Sequence, residues 1–192
     1  DPANIARATR DAFGYGPDEG IARDLLEEGK SLYQAKEYNA AGKKFLAAAK
    51  RWPESSLEEE ALFHAGESFF YGDEYPDAHR AYQKLLKGHD YTHHLDRVTK
   101  HLFLMAQYWE KCAEKDPAFK SPVNLTDDSR PWVDTVGYAL KAYDDIRMYD
   151  PTGPLADDSV IATAELHFRQ GQFEEAARNY DLIRTEYPKS EH

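Results

Sequence analysis

The sequence contains a single cysteine, Cys112, so no disulfide can close within the chain and no cysteine cluster can hold zinc. No segment approaches the roughly 18 consecutive apolar residues of a membrane-spanning helix. Basic residues are outnumbered, 24 Lys and Arg against 35 Asp and Glu. The resulting net charge of −11 argues against nucleic acid as the main partner, because phosphate binding needs a basic face. Methionine is scarce at two, whereas thirteen Tyr and nine Phe point to packing by rigid rings. With 41% apolar and 31% charged residues, the composition is that of a globular chain.

What is present is a repeat. Ala41, Ala78, Ala139 and Ala176 each stand four residues before an aromatic: Phe45, Tyr82, Tyr143 and Tyr180. Seven residues after each alanine comes an apolar side chain, Ala48, Leu85, Ile146 or Ile183. Three of the four units then close on Pro53, Pro151 and Pro188, and the second has Asp90 there. Upstream lies a second periodic segment: Leu25-Gly29-Leu32, Leu62-Gly66-Phe69, Leu102-Ala106-Trp109 and Val160-Ala164-His167. Spacing of i, i+4, i+7 makes one face of an α-helix. Its middle position is always Gly or Ala, small enough for a neighbouring helix to approach closely. Proline then stops the second helix in three of the four pairs.

The pattern of a small residue, a ring, an alanine, a second ring, an apolar residue and a proline resembles the tetratricopeptide repeat, a helix–turn–helix unit of about 34 residues. The resemblance spans roughly residues 22–190. It implies an all-α fold: a right-handed α-α superhelix of about four helical hairpins with a long loop in the third. Restarts of aromatic-Pro-x-Ser type, as in "RWPESS" and "YPKS", are similar to repeats of bacterial envelope proteins, especially the outer-membrane assembly lipoprotein family (BamD-like). That narrower likeness implies a bacterial cell-envelope scaffold on the periplasmic side of the outer membrane, with any lipid anchor upstream of Asp1. A plain cytoplasmic protein is the alternative.

The organisation expected is a leader at 1–20, with a short helix around Ile5–Phe13, and a repeat domain at 21–192. Its units fall at about 22–55, 59–91, 93–151 and 156–190. Helix pairs are predicted at 21–36 and 39–51, 56–72 and 76–88, 93–114 and 131–149, 156–170 and 173–186. The insertion 115–130, "KDPAFKSPVNLTDDSR" beyond Glu114, is predicted as a loop by its prolines, Asn and paired Asp. Long loops within compact arrays are often functional. The pattern restarts at Tyr187-Pro188, so a further unit is expected beyond His192. Glu28, Thr163 and His167 stand where large apolar residues belong, and loose packing is expected there.

In the repeat family the first helices line a concave groove, which implies partner-facing side chains at fixed places in each unit. These are Lys30, Tyr33 and Gln34; Phe63, Glu67, Phe70 and Tyr71; Phe103, Gln107, Glu110 and Lys111; and Glu165, Phe168 and Arg169. Leu26 and Ile161 hold the corresponding positions in the first and last units. Rings mixed with charges suit a peptide segment, the rings burying apolar groups and the charges fixing register. The same rings also fit a structural role between helices. The function expected is a non-catalytic scaffold that binds a protein or peptide, with no cofactor.

Other candidates weigh less. His89, His93, His94 and His101, with the 115–130 loop, suggest a metal-binding regulatory module. His94 and His101 would stand about 10 Å apart along a helix, too far for one ion. The pairs Asp127-Asp128, Asp144-Asp145 and Asp157-Asp158 do not converge as acid–base catalysts need; helix capping is expected of the first and third. Asn124-Leu125-Thr126 is a glycosylation sequon by pattern. A structural homo-oligomer through the exposed fourth unit is the third functional class.

Overall fold

The computed structural model describes residues 16–115, 124 and 126–191. The helix expected at Ile5–Phe13 and the first part of the insertion lie outside the described residues. Every described regular element is α-helical: α1 Glu19–Gln34, α2 Tyr38–Arg51, α3 Ser56–Tyr71, α4 Tyr75–Gly88, α5 Leu95–Lys115, α6 Thr135–Tyr149, α7 Ala156–Arg169 and α8 Phe173–Glu186. They pack as four consecutive hairpins, the all-α arrangement that the periodicity implies. Two compact units are formed, with the boundary between Thr92 and His93. The first holds α1 to α4 and the second α5 to α8.

Helix starts are set by side-chain caps where the sequence offers them. Asp18 accepts the Ile21 N–H, Ser55 that of Glu58, and Asp134 that of Gly137. Each such cap contributes about 1 kcal/mol. Ser55 belongs to the "RWPESS" restart, which gives that motif its local physical role.

Three of the four hairpins share one turn. The N–H groups of Lys36 and Glu37 close on the carbonyls of Tyr33 and Leu32. The pairs Asp73–Phe70 and Glu74–Phe69, then Gly171–Phe168 and Gln172–His167, repeat the same two bonds. This is the Schellman closure, in which one residue adopts positive φ. Lys36, Asp73 and Gly171 do so, at 63°, 58° and 75°. Only the last is glycine, so Lys36 and Asp73 each cost about 1 kcal/mol of left-handed strain.

The hairpins are closed by the repeat residues. Ala41, Ala78, Ala139 and Ala176 are buried, as are Phe45, Tyr82 and Tyr143. In the first two hairpins the small position of the first helix receives the ring of the second. A Cβ on Gly29 would stand 2.7 Å from the Phe45 ring, and one on Gly66 would collide with the Tyr82 ring. Ring insertion, rather than backbone-to-backbone approach alone, is thus what glycine permits. Between hairpins, Gly42 of α2 receives the Phe69 ring of α3 in the same manner, at 2.7 Å.

Gly66→Ala is expected to displace Tyr82 and cost about 1–3 kcal/mol, the usual range for overpacking. Gly88→Ala, where an added Cβ meets nothing within 4 Å, is expected to be neutral or to gain up to about 1 kcal/mol. Urea unfolding followed by circular dichroism checks both. Equal midpoints for the two variants would show that the ring notch does not hold the hairpin.

Candidate functional site

In the first unit, rings converge where α1 and α3 end and α2 and α4 begin. Tyr33 meets Tyr38 edge-on at 5.3 Å between centroids and Tyr71 at 6.4 Å, and Tyr38 meets Tyr71 at 6.1 Å. Phe70 adds contacts of 5.6 Å to Tyr71 and 5.5 Å to Tyr75. The shared hairpin turns put these residues together, because they bring each helix end beside the next helix start. Tyr71 remains 44% exposed. Tyr33, Phe70 and Tyr71 are among the side chains implied by the groove; Tyr38 and Tyr75 are additions that only folding reveals. Edge-to-face rings contribute about 0.5–1.5 kcal/mol beyond area burial, so the cluster is both structural and accessible. Gln34 is exposed beside it.

Two expected groove residues of this unit lie inside. Phe63 and Glu67 are 5% and 3% exposed, so their side chains serve packing rather than presenting a face. Glu67 Oε1 accepts the Tyr82 hydroxyl at 2.7 Å in a buried bond. The reason is the repeat itself. Once the Tyr82 ring fills the Gly66 notch, its hydroxyl needs a buried acceptor, and the next residue along supplies one. Lys30 is likewise engaged, 3.0 Å from Glu27 and 3.1 Å from Glu60 of α3. Its hydrogen bond to Glu27 leads the causes that raise its pKa.

The second unit repeats this logic one helical turn later. Tyr143 donates to Glu110 Oε2 at 3.0 Å. Burial first, and the Glu110 charge second, push the phenol well above its ordinary range, so it stays a donor. Glu110 also pairs with Arg169, which reaches Glu114 at 2.6 Å. Expected to read a partner's charges, Glu110 and Arg169 instead satisfy each other across α5 and α7. Phe103 is half-buried, edge-on to Tyr143 at 5.5 Å, and Gln107 is half-buried near it in sequence. Lys111 and Glu165 are exposed. Phe168 is 56% exposed and meets Phe173, itself 61% exposed, at 5.4 Å. This is the second accessible ring pair, again at a hairpin turn.

The described part of the insertion is ordered by its own side chains. Asn124 donates to the carbonyls of Asp127 and Arg130, and accepts from the Asp127 N–H at 3.0 Å. Trp109 Nε1 donates to the Ser129 carbonyl at 2.8 Å, and Tyr108 shares a 2.7 Å bond with the Ser129 hydroxyl. The sequon amide is therefore occupied. Asp127 accepts the Ser129 N–H at 3.1 Å, so it organises this loop; the cap of α6 is Asp134, not the Asp127-Asp128 pair. Of the histidines, His89 lies in the first unit, 3.5 Å from Glu58. His93 and His94 have ring centroids 3.8 Å apart, and His101 is buried on α5.

Residues 60–89 and 161–190 each match the tetratricopeptide repeat family. The two segments fall on the second and fourth hairpins. The family is one of protein-interaction scaffolds rather than of enzymes. No curated protein matches the chain. No helix among the described residues is long and apolar enough to cross a membrane.

Tyr82→Phe and Tyr143→Phe are each expected to cost about 1.5–3 kcal/mol, the range for a hydrogen bond to a charged group, measurable as lower urea midpoints. His64 gives a pH test. It stacks on Phe45 at 5.3 Å, and burial lowers its pKa below 6.5 even with Glu60 at 3.8 Å. The folded state disfavours imidazolium, so the unfolded chain binds the extra proton. That stabilisation is full above pH 6.5 and is lost as pH falls below it. His64→Phe should make the melting temperature less sensitive to acidification between about pH 7 and pH 5. An unchanged pH profile would show that His64 is not the group responsible.

Proposed function

We propose that the protein is a non-catalytic adaptor that captures a protein or peptide segment through the aromatic clusters at its hairpin turns. The observation that carries this reading is the exposure of Tyr71, and separately of Phe168 and Phe173, within ring clusters already fixed by folding. A preorganised ring loses little conformational entropy on binding and buries a large apolar area, which is why aromatics act as anchors at interfaces. Charges contribute less, because Lys30, Glu110 and Arg169 are spent on internal pairs. Specificity then rests on ring geometry, with Gln34, Lys111 and Glu165 as accessible polar neighbours.

The finer setting we propose is a bacterial envelope assembly. It is supported by the aromatic-Pro-x-Ser restarts, one of which places Ser55 as the cap of α3. Fractionation of cells expressing the native gene tests this setting, and recovery in the cytosol alone would remove it.

Photo-cross-linking tests the binding surface. Benzoylphenylalanine at Tyr71 or Phe168 is expected to give one discrete adduct from native cells, and the same group at exposed Lys43 none. Phe63→Ala should instead lower stability by about 3–5 kcal/mol, as for a buried ring, without removing the Phe168 adduct from folded protein. Equal labelling from all three positions would sink the proposal.

A further inference from the structure

The third and fourth hairpins meet differently from the first and second. In the first unit, α3 carries Ala61, Ala65 and Phe69 in register, and the Phe69 ring sits over Gly42 of α2. At the corresponding places α7 carries Ser159, Thr163 and His167, and α6 carries Leu140 in place of glycine. A ring cannot seat over a leucine side chain, and a polar stripe gains little from closing on it. The seam accordingly holds a cavity of about 390 Å³ whose lining includes all four residues. That volume lies within the range of pockets that take small ligands.

Its polar groups are unequally committed. The Ser159 hydroxyl donates to the Leu155 carbonyl at 2.6 Å, and that of Thr163 to the Ser159 carbonyl at 2.8 Å. Their protons are thus spent within α7. Arg147 is held by Asp144 at 2.6 Å. Lys141, also in the lining, has no carboxylate partner among the described residues. Asn179, from α8, gives one amide N–H to the Glu175 carbonyl and retains the other. On the apolar side stand Leu140, Val160 and the ring of Tyr143, whose hydroxyl is engaged by Glu110. Asp144 also lines the recess and is matched by Arg147, so the unmatched charge there is that of exposed Lys141, beside an apolar wall.

We propose that the α6–α7 seam binds a carboxylate attached to an apolar body, with Lys141 and Asn179 facing the anion and Leu140 and Val160 the body. Two sources share that chemistry, a free small carboxylic acid and a glutamate side chain of a partner peptide. The site is independent of the ring clusters, so its failure would leave the adaptor reading untouched.

Titration of the whole chain with benzoate and with N-acetylglutamate methylamide, read by amide and imidazole NMR shifts, tests it. Saturable shifts centred on Leu140, Thr163 and His167 are expected for at least one probe. Preference for benzoate would assign a free acid, and preference for the glutamate derivative a peptide side chain. Lys141→Gln should weaken binding about tenfold, as expected for loss of one charge-assisted hydrogen bond, at an unchanged melting temperature. Leu140→Gly combined with His167→Phe, which recreates the seat that Gly42 gives Phe69, should close the recess and abolish binding. No saturable shift from either probe, equal binding of neutral benzamide, or binding unaltered in both variants would overturn the proposal.

Discussion

The insertion of an aromatic ring from one helix into a side-chain-free notch on its neighbour is the contact on which the first unit is built. Phe45 over Gly29 and Tyr82 over Gly66 close the first two hairpins, and Phe69 over Gly42 joins one to the next. A fully buried ring stabilises by about 1.5–3 kcal/mol, and the absent Cβ lets it lie against the backbone of the neighbouring helix. The same device therefore serves within and between hairpins, differing only in which helix supplies the ring.

That contact also decides what happens to the charges. Where the inserted ring is tyrosine, its hydroxyl arrives in a buried place and takes a carboxylate with it: Glu67 for Tyr82 and Glu110 for Tyr143. Glu110 in turn holds Arg169. Side chains that would read a partner's charges on an isolated helix are thereby committed inside the fold. Accessible aromatics remain at the turns in Tyr71, Phe168 and Phe173, together with exposed Gln34, Lys111 and Glu165. There the Schellman closure of Lys36, Asp73 and Gly171 brings helix ends together.

The helices were legible because their periodicity is strict. The expected spans agree with the observed ones to within a few residues, the largest difference being the start of α6 at Thr135 rather than 131. There Trp132 and Val133 remain outside the helix, and Asp134 caps it in a left-handed conformation. The shared turn was not legible, since neither lysine nor aspartate advertises positive φ as glycine does. The site was legible in part. Tyr33, Phe70 and Tyr71 come together at the helix ends of the first unit and Phe168 is exposed at a turn of the second, whereas Phe63 and Glu67 are buried. Tyr38, Tyr75 and Phe173 join the clusters only because the turns fold them in.

From the sequence alone came the helices, their pairing and the ring, alanine and glycine positions that join them, because each depends on spacing along a single chain segment. Tertiary structure decided which polar residues became internal, which rings stayed exposed and where a seam failed to close. Those outcomes depend on what stands opposite a residue. Glu67 is buried because Tyr82 points at it, and the α6–α7 seam is open because Leu140 occupies the place that Gly42 vacates for a ring. One-dimensional spacing carries no record of the opposing side chain.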